Sequence, residues 1–288
     1  MLITVFTPAY NRAHLLGRLY ESLCSQTYRD FEWIVVDDGS KDNTEEVVKG
    51  FIQEGKIDIR FFKQENGGKH RAVNRGVEEA KGELFFIADS DDWLLPVSLE
   101  TVAKVYEPIS GKKEYAGVCG LDVFEDGTVI GGGMPAEQID CNSLDIRSKY
   151  HVRGDLKEVF RTEVLREIPF PEIPGERFCP EVVVWNRISQ KYVLRYFNKP
   201  IYQVEYQPEG ITAAITRYRM QSPVASCICY QEMTEKDISF RQKVRSAINY
   251  WRFRFCSSPN KFPRLSWKWI WCAPIGYLMH LNDLRKNK

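Results

Sequence analysis

The chain has 288 residues, 43% of them hydrophobic, enough for a sizeable core in one large domain or two small ones. Its 40 basic and 39 acidic side chains nearly cancel, but residues 241–288 hold eleven Lys or Arg and one acid, a net +10 against −9 for the rest. An acidic front portion with no nucleic-acid-binding motif excludes a nucleic-acid binder, and no repeat or low-complexity linker divides the chain.

In chain order, Ile3–Phe6, Glu32–Val36, Ile57–Phe62 and Leu84–Ala88 read as strands. Helical faces fall between them: Leu15, Leu16, Leu19 and Leu23, then Val47, Val48, Phe51 and Ile52, then Ala72, Val73, Gly76, Val77 and Ala80. Asp42 with Glu45 predicts a capping box for the second helix. Strand–helix alternation predicts an α/β fold with a parallel sheet covered on both faces, and such sheets bind ligands outside the carboxyl ends of their strands. Each predicted strand exit is small, polar or charged: Thr7-Pro8-Ala9-Tyr10-Asn11-Arg12, Asp37-Asp38-Gly39-Ser40, Asn66-Gly67-Gly68-Lys69-His70-Arg71 and Asp89-Ser90-Asp91-Asp92.

The last exit is the most informative. Three carboxylates in four residues, at the mouth of a buried strand, repel one another unless a cation holds them. Mg²⁺ or Mn²⁺ suits that position, because both prefer oxygen ligands and Mg²⁺ takes few carboxylates, adding water and substrate phosphate. A helix N-cap at Asp92, before Trp93-Leu94-Leu95-Pro96, would explain one of the acids and not three.

With Thr-Pro-Ala-Tyr-Asn-Arg at 7–12, Val-Val-Asp-Asp-Gly-Ser at 35–40 and Ala-Asp-Ser-Asp-Asp at 88–92, the chain resembles the family 2 glycosyltransferases. It is most similar to bacterial enzymes of surface-polysaccharide assembly: capsule, O-antigen or exopolysaccharide. The match runs from Leu2 to about Ile109, with weaker landmarks to about Thr212. The resemblance implies a GT-A (Rossmann-like) fold, with a mostly parallel central sheet flanked by helices and here a C-terminal helical extension. It also implies a nucleotide-sugar donor, usually a UDP-sugar, a divalent metal (Mg²⁺ or Mn²⁺) and inverting transfer to an acceptor hydroxyl. Residue by residue, Thr7, Ala9 and Tyr10 would hold the base, with Asp38 or Asp37 accepting the uracil N–H. Asp89 would touch the ribose or the metal, Asp91 would ligate the metal, and Lys69 and Arg71 would lie near the phosphates. The chain departs from its relatives in reading Ala72-Val73-Asn74-Arg75-Gly76 where many have Ala-Arg-Asn before the glycine. A solvated helix start is thus the competing reading of Lys69-His70-Arg71.

An inverting transfer needs a base to take the acceptor's proton, commonly a positioned carboxylate. Relatives place an acid just before a helix in the second half, and the match here is Glu181, in Phe178-Cys179-Pro180-Glu181, with Glu176 in reserve. Pro180 and an acid also suit a helix start for structural reasons alone. Gly154-Asp155-Leu156-Lys157 reads as a turn into a strand, where Asp155 orders the donor, a loop or only the turn. Tyr206–Thr212 lies where relatives approach metal or acceptor. His151 reads as structural and Gly131-Gly132-Gly133 as a flexible turn.

The expected organisation is a nucleotide-sugar-binding half over residues 1–110, an acceptor-binding half over 111–218 and a basic aromatic helical region over 219–288. That last region carries Trp251, Trp267, Trp269 and Trp271 among its basic residues, while the apolar stretch from Trp269 to Leu281 is broken by Pro274 and too short to span a bilayer. It predicts an interfacial helix pair on an anionic membrane, suited to a lipid-linked saccharide acceptor, the alternative being a subdomain that packs its aromatics inward. A first strand at Leu2 and eight cysteines without zinc spacing predict reduced thiols in the cytoplasm, with the chain peripheral on the inner face of the cytoplasmic membrane. Two other functions compete. An inactive nucleotide-sugar-binding scaffold is opposed by the intact Asp89, Asp91 and Glu181. A sugar nucleotidyltransferase would want a Gly-rich basic loop where Pro8-Ala9-Tyr10-Asn11 stands.

Overall fold

In a computed structural model, residues 2–205, 214–257 and 262–286 are described. They divide into two compact units, Met1–Pro169 with Trp185–Tyr206, and Phe170–Val184 with Gln207–Lys288. In the first unit the chain runs β1 (Ile3–Ala9), α1 (Leu16–Cys24), β2 (Phe31–Asp37), α2 (Thr44–Glu54), β3 (Ile59–Lys63), α3 (Lys69–Glu79), β4 (Leu84–Ile87), β5 (Trp93–Leu94) and α4 (Ser98–Tyr106). It continues with β6 (Tyr115–Val123), β7 (Gln138–Cys141), α5 (Asp145–Ser148), β8 (Leu156–Arg161) and α6 (Thr162–Glu167). Helix α7 (Val182–Ile188) begins in the second unit and ends in the first, where β9 (Val193–Gln203) follows.

The strand order is β3-β2-β1-β4-β8-β6-β9-β5, with β7 on β9. The first four strands are mutually parallel, as strand–helix alternation requires. Beyond β4 the sheet is mixed: β8 is antiparallel to both β4 and β6, and β6 is parallel to β9. Strand periodicity carries no direction, so this half was not legible from the sequence.

Every residue of β2 is buried, and β1 is buried but for half-buried Pro8, because helices cover both faces. On one face Trp33, Tyr20 and Phe51 stack, Tyr20 and Phe51 with centroids 4.1 Å apart. A polar lock crosses the sheet at Glu32, which is fully buried. Its carboxylate accepts from the Thr4 hydroxyl at 2.7 Å and the Lys81 amide at 2.7 Å, and pairs with Arg60 at 3.2 Å. The charge is thereby hydrogen bonded as burial demands.

The expected Asp42–Glu45 capping box does not form. Asp42 accepts from the amide and hydroxyl of Thr44 and from the Ala13 amide, while Glu45 turns away to Lys49 and Lys63. A capping box does occur at Ser239 and Gln242, opening α10 in the second unit. That unit holds α8 (Ile215–Gln221), α9 (Pro223–Glu235), α10 (Phe240–Arg254), a 3₁₀ turn over Trp267–Cys272 and α11 (Ala273–Lys286). All eight cysteines are free thiols, six of them buried.

Gly76 lets α3 settle on β1. A Cβ there would stand 2.2 Å from the ring of Phe6, which is itself fully buried and stacked on Phe85 at 5.1 Å. Gly76→Ala should destabilise the fold by about 2 kcal/mol despite alanine's better helix propensity, measured as a lower urea midpoint at unchanged slope.

Candidate active site

Register brings the strand mouths together. Ala9 of β1 pairs with Asp37 of β2, and Phe6 with Ile87 of β4. Just past these ends the Asp38 amide donates to the Ala9 carbonyl at 2.8 Å, and the Ala88 amide to Phe6 at 2.7 Å. The segments 7–10, 37–40 and 89–92 thus share one edge of the first unit, as the motif reading requires. Two of the loops are also laced together, since the Asn11 amide donates to Ser40 Oγ and Asn11 Oδ1 accepts from the Lys41 amide, both at 2.8 Å.

Asp38 organises the neighbouring loop. Its carboxylate accepts from the Gly67 and Gly68 amides at 2.9 and 2.7 Å and from Gln64 Nε2 at 2.8 Å. Asp37 Oδ1 accepts from the Ser40 amide, whereas Oδ2 is buried without a hydrogen-bond partner. The Thr7 hydroxyl accepts from the Trp33 indole N–H, so the side chain that faces solvent from the first exit is Tyr10, 44% exposed. Ala9 is buried.

Fixed in this way, α3 aims Lys69 at the acidic exit, its Nζ 2.7 Å from Asp89 Oδ1. The solvated-helix-start reading therefore does not describe Lys69. Arg71 instead folds back onto the Gly67 carbonyl at 2.7 Å. The Asp89 amide donates to the Tyr202 hydroxyl at 2.6 Å, and Lys157 Nζ lies 3.4 Å from the centre of the Tyr202 ring. Burial would raise the Asp89 carboxyl, but the charges of Lys69, Lys157 and Arg12 hold it below the usual carboxylate range. Asp91 moves the opposite way, pushed up by burial and by the negative charge of Asp89. Asp92 is pushed up to about 7 by burial and by Asp89, and accepts from the Glu205 amide at 2.9 Å. It caps no helix, because Trp93 and Leu94 are extended. Arg18 fastens this loop from outside: its guanidinium lies 3.7 Å over the Trp93 ring, pairs with Glu205 and donates to the Asp91 carbonyl.

The donor set fits a divalent cation. Among the described residues no three His, Cys, Asp or Glu gather as a group that could hold a metal ion by themselves. Yet Asp91 sits partly buried against the charge of Asp89, a repulsion that a cation completed by water and phosphate oxygens would relieve.

The two base candidates lie in the second unit. Glu181 is half-buried at the N-terminus of α7, its carbonyl accepting from the Val184 amide. Glu176 accepts from the Val224 and Ala225 amides at 2.7 and 2.9 Å, so its carboxylate is committed to the start of α9 and it is dropped as the reserve base. His151 and Gly131–Gly133 have positive φ, the glycines at the end of a short 3₁₀ segment, and exposed Asp155 precedes β8. Tyr206–Thr212 falls outside the described residues. Motif reading gave no role to Arg18, Asp122, Lys157, Tyr202 or Glu205. Their contacts are long-range, and only Lys157 lay in a segment that had drawn notice.

A model of the glycosyl transferase family 2 matches residues 4–127, from β1 past the end of β6. Residues 4–127 are thus similar to the glycosyl transferase family 2. GlyG of Streptococcus pneumoniae is 41% identical over 102 residues, covering 35% of this chain and 34% of GlyG. An uncharacterized glycosyltransferase of Rickettsia felis is 32% identical over 157 residues, covering 53% of this chain and 25% of the other. The chain thus spans a quarter to a third of the length of these relatives. S. aureus TarS, solved with UDP-GlcNAc, superposes with a TM-score of 0.64 at 20% identity, covering 90% of this chain and 74% of that one. The mannosyltransferase PcManGT from Pyrobaculum calidifontis, solved with GDP-Man and Mn²⁺, gives 0.56 at 17% identity over 96% of this chain and 73% of that one. The chain therefore has the GT-A fold.

Beside its acidic mouth, the first unit buries Asp122 of β6, which is 5% exposed with Oδ1 lacking a hydrogen-bond partner. Burial pushes its carboxyl up to about 6. Between about pH 4, where an unfolded Asp titrates, and pH 6 the folded protein binds more protons than the unfolded chain, so this residue's contribution to stability falls as pH rises. Asp122→Asn should therefore raise stability by on the order of 1 kcal/mol at pH 8 and leave it unchanged at pH 4, read from thermal melts at both values.

Proposed function

We propose that the protein moves a sugar from a nucleotide-sugar, with UDP the favoured carrier, to an acceptor hydroxyl with inversion at the anomeric carbon. The observation that carries this reading is the acidic exit of β4 beside the mouths of β1 and β2, with Lys69 reaching Asp89 across it. The UDP and UDP-GlcNAc complexes of TarS support a UDP-sugar, and the GDP-Man and Mn²⁺ complex of PcManGT supports a divalent metal.

In this reading the 7–10 and 37–38 segments receive the base. Thr7 and Ala9 act through the backbone, Tyr10 through its ring, and Asp37 or Asp38 accepts the uracil N–H. Lys69 neutralises the diphosphate after leaving Asp89, and Arg71 supports the phosphate loop through Gly67. Asp91 and Asp89 would hold Mg²⁺ or Mn²⁺, which supplies Lewis-acid stabilisation of charge on the departing diphosphate. Glu181 takes the proton of the attacking hydroxyl as the new glycosidic bond forms and the bond to the nucleotide breaks. Donor handling belongs to residues 1–110, acceptor handling to 111–218 and membrane attachment to 219–288. The acceptor is a saccharide, lipid-linked in polysaccharide assembly, met at the inner face of the cytoplasmic membrane.

Screening UDP- and GDP-sugars for slow hydrolysis, then for transfer, tests the reading. Chelation should abolish turnover and added Mn²⁺ or Mg²⁺ restore it. Asp91→Asn should lower turnover by at least about 100-fold. Glu181→Gln should lower transfer by about 100-fold with donor affinity within about twofold of the parent. A Gln variant that transfers at the parental rate would place the base elsewhere, and donor binding without any turnover would favour the inactive scaffold.

A further inference from the structure

From Trp267 to Lys286 the chain forms one helical rod, a 3₁₀ turn leading into α11, that buries Trp269, Cys272, Gly276, His280 and Asp283 and turns an apolar row to solvent. The buried face is set by close approach to α10. Trp269 and Cys272 are 3% and 0% exposed, the Trp251 indole donates to the Trp269 carbonyl at 3.1 Å, and a Cβ on Gly276 would lie 2.5 Å from Trp251 Cβ. The face turned to solvent carries Trp267 (85% exposed), Ile270 (57%), Trp271 (51%), Ile275 (44%) and Leu278 (67%). They recur at spacings of three and four residues and so form one stripe. A surface helix ordinarily places polar residues there, so a contiguous apolar stripe marks an interaction surface.

Charge identifies the occupant. Asp283, the acid of this rod, is buried and bonded to Arg252 at 2.7 Å. The exposed charges along the rod are Lys268, Arg285 and Lys286, with Arg264 just before it and Arg241 and Arg245 on α10, all positive. Among the described residues no helix is long and apolar enough to cross a membrane.

We propose that the Trp267–Leu278 stripe is a docking surface for an anionic lipid bilayer, lying in the interface plane with its basic residues at the headgroups. It deepens the membrane attachment proposed above and rests on it. The tryptophans of this region divide between the two readings: Trp267 and Trp271 face outward, whereas Trp269 is buried and Trp251 half-buried, stapling the rod to α10.

The test is flotation of the full chain with phosphatidylglycerol–phosphatidylcholine vesicles, against pure phosphatidylcholine, at low and high salt. The parent should float with the anionic vesicles and about tenfold less with neutral ones or at high salt. Trp271→Ser with Leu278→Ser should lower binding at least about tenfold while the thermal melt and vesicle-free UDP-sugar hydrolysis hold. Lys268→Glu with Arg285→Glu, which leaves the apolar stripe intact, should do the same through charge. Three results would overturn the surface: a parent that does not float, variants that float as the parent does, or sedimentation showing a parental dimer that the Trp271/Leu278 variant dissociates, which assigns the stripe to a second copy. Hydrolysis without flotation would sink the surface and spare the transferase reading. Flotation without hydrolysis would do the reverse.

Discussion

The carboxylate of Asp38, gripping the amides of Gly67 and Gly68, is the contact on which the candidate site depends. Charge-assisted hydrogen bonds of this kind are short and strong, and both partners here are backbone. They fix where α3 begins, and the first residue of α3 is the lysine that reaches Asp89. One side chain at the end of β2 thereby decides the position of a cation at the end of β4, two strands away.

The electrostatics of the acidic exit follow from that placement. Asp89, with lysines beside it, stays ionised easily, while Asp91 and Asp92 bear both burial and its charge. The three acids of one motif are therefore not equivalent. A ligand bringing phosphate would draw Lys69 toward itself, and the negative charge left behind would strengthen the site's grip on a cation. On the proposed function, donor and metal would then bind cooperatively, each easing the burial of the other.

Much of this was legible in the sequence, for identifiable reasons. The parallel half of the sheet writes itself as apolar runs separated by helical periods, and its ligand edge as polar clusters at each run's end, so the segments at 7, 37 and 89 could be brought together before any coordinates. What escaped was non-local. The antiparallel strand β8 that delivers Lys157, and β9 that delivers Tyr202 under Asp89, read like any other strands. Local signals also misled where a nearby competitor existed. Asp42 had a better use than capping α2, because Ala13 offered its amide across the loop. Glu176 resembled a spare base until its two oxygens were found on the α9 amides.

The buried lock around Glu32 has a consequence for specificity of folding. Neighbouring parallel strands built of similar aliphatic residues can slide past one another at little cost in apolar contact. Here Thr4 and Glu32 are direct partners across β1 and β2, with the Arg60 charge arriving from β3. A slip by one position would swing the glutamate to the opposite face, among the apolar side chains around Trp33. A charged group among apolar side chains thus opposes a one-position slip, and the alignment it enforces at the closed end of the sheet keeps the three strand mouths level at the open end.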